Sequence, residues 1–232
     1  MSTIERLNDK ATQNAFNKKV VATSHQLHPY VKHRLYIAES TGIIPKKMYS
    51  SSGIIDESIV KFYENGYDID IDANALKLKL FKYVDAELDA IYKKEAFHKN
   101  TVSTNAILEE ELGALEEHYT IDDGFDYVMN EDLDDISYQQ NGHKKNFFLY
   151  DDGDGSASVL NALDATKAKG DSSKKALGNL YSWLPLNVSN IVDLFIFGKL
   201  SFEEISKVKN IETKRIALIF DEIKKNFNDH IE

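Results

Sequence analysis

The chain has 232 residues, of which 42% are hydrophobic, no cysteine, and a formal net charge of −10. That length suits one or two domains, and the absence of thiols excludes a disulfide framework and a thiolate metal site and fits a reducing, cytoplasmic setting. The acidic balance argues against tight, free-standing DNA binding, because cations on phosphate supply most of that affinity.

Met1 to Lys10 is polar and mixed in charge, unlike a secretory leader. A helix is expected from Ala11 to Ile37, with Phe16, Val20, Leu27, Val31 and Leu35 on its apolar side, and Pro29 is expected to divide it. Thr41-Gly42-Ile43-Ile44-Pro45 reads as a loop, because glycine and proline break regular structure. A second helix follows Ser50-Ser51-Ser52-Gly53. Its core side is Ile54, Ile55, Ile59, Phe62 and Tyr63, and Asp56 and Glu57 are exposed near its N-terminal end, where carboxylates suit the helix dipole. Asn65-Gly66 ends it. A third helix is expected over Asn74–Ala96, with Leu76, Leu80, Val84, Leu88 and Ile91 inward.

Asn100 to His143 contains no lysine or arginine and carries runs such as Glu109-Glu110-Glu111 and Asp134-Asp135. Some helix is expected near Asn105–His118 and less order beyond it. Blocks of like charge are usually solvated. Asp151-Asp152-Gly153-Asp154-Gly155 invites a calcium-loop reading. Counted from Asp152, however, position 6 is Ala157 and position 12 is Leu163, where that loop needs glycine and glutamate. It reads as a flexible turn. Lys167 to Lys175 is polar and closes the linker, and Leu177, Leu180, Trp183 and Leu184 open a further helical block. The most apolar run, Ile191 to Phe197, is short and holds Asp193, so no membrane span is expected.

Ser201 and Glu204 have the spacing of a capping box, and Leu200 and Ile205 flank it as a hydrophobic staple. The helix they start is short and ends near Lys207. Ile211, Ile216, Phe220, Ile223 and Phe227 then recur on one helical face. Two helices joined by a short polar turn form the unit that places a recognition helix, or a plain helical hairpin.

The run Leu184-Pro185, Ile191, Leu194 and then Leu200-Ser201-Phe202-Glu203-Glu204-Ile205 resembles region 4 of bacterial sigma factors of the sigma-70 superfamily. The family's motif reads glycine-leucine-serine-aromatic-x-glutamate-isoleucine-alanine. Lys199 and Ser206 stand where it has glycine and alanine. The N-terminal block resembles region 2 of the extracytoplasmic-function class, with Ile54-Ile55-Asp56-Glu57-Ser58-Ile59-Val60 in the place of the helix that docks on polymerase.

The resemblance implies an all-α protein of two small helical domains, residues 11–98 and 176–232, joined by an acidic linker over 99–175. It implies a non-enzymatic subunit, without cofactor or metal, that binds core RNA polymerase at the β′ clamp helices and β flap and opens promoter DNA. Ile55, Asp56, Glu57 and Ile59 would bind polymerase. Lys77, Lys79, Phe81, Lys82 and Tyr83, with Tyr92 nearby, would hold the opened strand by stacking and phosphate contacts. Lys214 and Arg215 would touch duplex DNA. The linker would thread a basic polymerase channel or act as a solvated spacer.

The residues part from the family at the recognition helix. Ala217, Leu218 and Ile219 cannot hydrogen-bond base edges, and Glu222 would repel phosphate, whereas base readout needs side chains such as Arg, Lys, Asn or Gln. Leu218, Ile219 and Glu222 are therefore expected to meet a protein, such as an anti-sigma factor or an RNA-guided DNA-binding effector. An adaptor without sigma activity is the competing reading. An enzyme is the least favoured: His25, His28 and His33 lie close together in sequence, but they read as partly exposed surface histidines.

Overall fold

Among the described residues, which are 10–99, 119–121, 127–129, 148–164 and 171–231 of a computed structural model, eight helices and one short hairpin occur. They are α1 (Lys10–Ser40), α2 (Ser51–Glu64), α3 (Ala73–Lys99), β1 (Tyr119–Ile121), β2 (Tyr127–Met129), α4 (Gly153–Ala162), α5 (Asp171–Trp183), α6 (Leu186–Ile196), α7 (Phe202–Lys209) and α8 (Thr213–Ile231).

Two compact units result, one from residues 1–95 and 147–232 and the other from 96–146. Among its described residues the first has helices as its only regular elements. In the second, β1 and β2 pair antiparallel, with Thr120 opposite Val128. The eight helices make the described structure all-α in class, as expected, and this short hairpin is its one non-helical element among the described residues. The helix expected over Asn105–His118 lies outside the described residues.

Helix α1 runs through Pro29 without a break. Pro29 lacks the N–H that would bond four residues back, but Leu27, Tyr30 and Val31 are fully buried on either side of it and hold the helix together. Helix α2 starts where the Ser50 side chain accepts the Gly53 N–H at 3.1 Å, and it ends at Asn65, before Gly66 at a φ of +82°. On α3, Leu76, Leu80, Val84, Leu88 and Ile91 all point inward as their spacing predicts.

The N-terminal and C-terminal helices share one core, and α1 packs on both α2 and α6. That core also takes in residues expected to be linker. Tyr150, Val159, Leu160 and Leu163 are buried. Asp152 is no flexible turn: its side chain caps α4 by accepting the Gly155 N–H at 3.3 Å. Gly178 on α5 lets this segment approach, since a Cβ there would lie 1.9 Å from the Phe148 carbonyl oxygen. Trp183, among the residues that begin the C-terminal block, is 64% exposed. No helix among the described residues is long and apolar enough to cross a membrane.

Candidate functional site

The helix-turn-helix is built from local rules. The Ser201 hydroxyl accepts the Glu204 N–H at 3.2 Å, and the Glu204 carboxylate accepts the Ser201 N–H at 2.9 Å, so the reciprocal box is complete. Leu200 and Ile205 are buried together as its staple. Asn210 closes α7 at a φ of +54°, a left-handed C-cap position that asparagine tolerates. Helix α7 therefore runs two residues beyond the expected Lys207. Ile216, Phe220, Ile223 and Phe227 bury the inner face of α8, and Phe220 packs against Phe195 and Phe202 with centroids 4.9 and 5.1 Å away. Lys199, which stands at the glycine position of the sigma run, has a φ of +50°. That is the backbone region glycine enters without steric cost.

On the outer face of α8, Lys214, Arg215 and Glu222 are exposed. Leu218 is 68% exposed, so it is not a core residue. Ile219 is half-buried and packs against the core, so its share in any protein contact is limited.

The candidate polymerase-binding residues divide. Asp56 and Glu57 are exposed on α2 and Ile59 is half-buried, but Ile55 is 1% exposed and belongs to the core. The candidate strand-holding residues divide as well. Lys79 and Lys82 are exposed and Tyr83 is half-buried against Phe62. Phe81 is fully buried, with its ring 5.7 Å from that of Tyr30 and facing Gly198, so it has no free face to offer a base. The helical period gives the reason, because Phe81, Val84 and Leu88 fall on one stripe. Tyr92 is also buried, and burial pushes its hydroxyl up to about 12. Lys77 is engaged, donating to Glu204 at 2.8 Å.

That Lys77–Glu204 pair is one of several contacts tying the N-terminal helices to the C-terminal ones. Asp85 on α3 accepts from Asn190 at 2.5 Å, from Lys209 at 2.7 Å and from Tyr30 at 3.3 Å. Tyr30 has one proton, and its shorter partner is Asn190 at 2.8 Å. Asp193 on α6 is fully buried beneath α1. Arg34 donates to it at 3.2 Å and Tyr181 at 2.8 Å, and His33 Nδ1 lies 3.1 Å from the same carboxylate. The histidine approach is close but poorly aligned, so Nδ1 makes no hydrogen bond despite the short distance. The other ring nitrogen lies 2.7 Å from the Tyr150 hydroxyl. Burial pushes the Asp193 carboxyl up, but the adjoining His33 ring, the Arg34 guanidinium and the hydrogen bond from Tyr181 outweigh it and hold the group below its ordinary range. Arg34 also lies 5.5 Å over the Tyr92 ring and donates to Ser189 at 2.9 Å.

His33 is thus buried and occupied, not a partly exposed surface histidine, while His25 is exposed and His28 half-buried. Among the described residues no group of three or more histidines and carboxylates is placed to hold a metal. Two surface grooves, one on α1 around Asn17 and His25 and one between α2 and α3 around Glu57 and Glu87, are not lined by the buried network. The network's chemistry is that of a bolt between helices.

Comparison of the chain with protein-family models, curated proteins and solved structures finds no match.

Proposed function

We propose that the chain is a sigma-factor-type subunit of bacterial RNA polymerase, non-catalytic and cytoplasmic, that brings core polymerase to promoter DNA. The observation that carries this reading is the helix-turn-helix over residues 200–231. Its capping box and staple, and the left-handed backbone at Lys199, support this reading, although Lys199 and Ser206 depart from the glycine and alanine of the sigma region 4 run. The exposed Asp56 and Glu57 on α2 support the polymerase contact. Strand holding then falls to Lys79, Lys82 and Tyr83, since Phe81 and Lys77 are occupied within the protein. Lys214 and Arg215 supply the duplex contact. Targeting is completed by a partner protein, such as an RNA-guided DNA-binding effector, because the rest of the recognition face is poor in groups that read DNA.

An adaptor that keeps the helix-turn-helix but binds only protein is the second reading, favoured by the exposure of Leu218. A pull-down of core RNA polymerase separates the two. Under the sigma reading the wild type binds and Asp56→Lys/Glu57→Lys does not. Failure of the wild type to bind refutes it in favour of the adaptor.

A further inference from the structure

The outer face of α8, with Lys225 also exposed on it one turn nearer the C-terminus, presents the set Lys214, Arg215, Leu218, Asp221 and Glu222, all exposed. Their order is symmetric about Leu218. Arg215 and Asp221 lie three residues to either side of it, and Lys214 and Glu222 lie four. At ~1.5 Å per residue, the cations sit about 5–6 Å toward one end of the helix and the carboxylates the same distance toward the other. The buried Ile216, Phe220, Ile223 and Phe227 fix the rotation of the helix, so these five residues point away from the core. None of the four charged side chains has an ion-pair partner among the described residues.

A face with cations at one end, a leucine in the middle and carboxylates at the other is its own complement. If a second copy is turned antiparallel about a two-fold axis at Leu218, leucine meets leucine. Arg215 then faces Glu222 of the second copy and Lys214 faces its Asp221, since residues seven apart share one flank of the helix, and the symmetry repeats both pairs. A parallel arrangement would set like charge on like and be disfavoured. A phosphate backbone running along the helix would meet two carboxylates in its second half. We propose that α8 pairs with α8 of a second copy of this chain through this face, forming an isologous dimer. The contact is confined to one helix, so the dimer belongs to the weak, concentration-dependent class. It covers Lys214 and Arg215, so dimer and DNA contact exclude one another. The proposal does not depend on polymerase binding, which the α2 surface would carry.

Sedimentation of the full chain tests it. The wild type is expected to self-associate at low ionic strength and to dissociate as salt is added, since exposed pairs are screened. Lys214→Glu/Arg215→Glu and Asp221→Lys/Glu222→Lys should each raise the dissociation constant ~10-fold or more by opposing like charges. The second variant also lowers the net negative charge, so general repulsion falls while the specific contact is lost. An equimolar mixture of the two variants should regain the dimer, because all four pairs are again opposite in sign. Circular dichroism of each variant checks that it is folded. A wild type that stays monomeric to a few hundred micromolar overturns the proposal. So does a dimer indifferent to both variants, or a mixture of folded variants that fails to reassociate.

Discussion

Asp193 can be removed on paper with its neighbours in view. Arg34 and Asp193 are both essentially fully buried, with side chains 1% and 0% exposed. Asp193→Leu leaves the guanidinium with only the Ser189 hydroxyl as a described side-chain acceptor and deprives the Tyr181 hydroxyl of its acceptor. Breaking one side of a buried pair costs about 3–5 kcal/mol, and the orphaned hydroxyl adds ~1 kcal/mol. Against a total stability of about 5–15 kcal/mol, that is a large share. Arg34→Met should cost a similar amount by stranding the carboxylate. The double variant Arg34→Met/Asp193→Leu removes both charges and should be more stable than either single variant by ~2 kcal/mol or more, because no buried charge is left uncompensated. Urea unfolding followed by circular dichroism reads this directly. With a slope of ~2 kcal/mol per molar, a ~4 kcal/mol loss lowers the midpoint by ~2 M. Single-variant losses below ~1 kcal/mol, or a double variant that costs the sum of the two, would refute the reasoning.

Two further outcomes follow from backbone and titration. Lys199→Gly should stabilise the protein by roughly 0.5–1 kcal/mol, because it relieves a left-handed non-glycine residue, partly offset by the greater freedom of glycine in the unfolded chain. A lower thermal midpoint in that variant would contradict this. The pKa values of Asp193 and Glu204 are both lowered in the folded protein, Glu204 because hydrogen bonds from Lys77 and the Ser201 backbone outweigh its burial. Each therefore contributes stability that is present above the unfolded carboxylate range, about 4, and is lost as pH falls through the lower folded value. Asp89, raised by burial and by Asp85, has the opposite sign. Urea midpoints should decline below about pH 5, and Asp193→Asn should flatten that decline. An equally steep profile in the variant would exclude Asp193 as its source.

Much of the architecture is written locally. Ser50 and the Ser201–Glu204 box announce helix starts because a cap needs only the residues beside it. The stripes on α3 and α8 announce their inner faces because burial repeats with the helical turn. The same stripe logic, extended by one position, reaches Phe81 and withdraws it from the strand-holding set. The bolt between the helices carries no such signal. Arg34, His33, Asp85 and Asp193 are residue types that belong in water, and nothing nearby in sequence names their partners. Asp151 to Gly155 misled for a related reason. Its carboxylates and glycines match a solvated turn as well as a helix cap, and only the burial of Tyr150, Val159 and Leu163 decides between them. For Lys77, the partner Glu204 lies on a helix more than a hundred residues away, so its loss as a free cation was equally invisible.

The bolt also sets an order of events at the ribosome. Arg34 and Asp193 are 159 residues apart, and Tyr30 and Asn190 are 160 apart. At a synthesis rate of ~5–20 residues per second, the N-terminal helices wait roughly 8–30 s for the residues that complete their core. Through that interval Arg34 and Asp85 lack their C-terminal partners, and the strongly acidic segment emerges before those partners do. Contacts this distant in sequence close slowly, since a long loop must first be ordered. Folding of the unit is thus an event of late synthesis, and a chain arrested before Asp193 is half a core with a guanidinium at its centre.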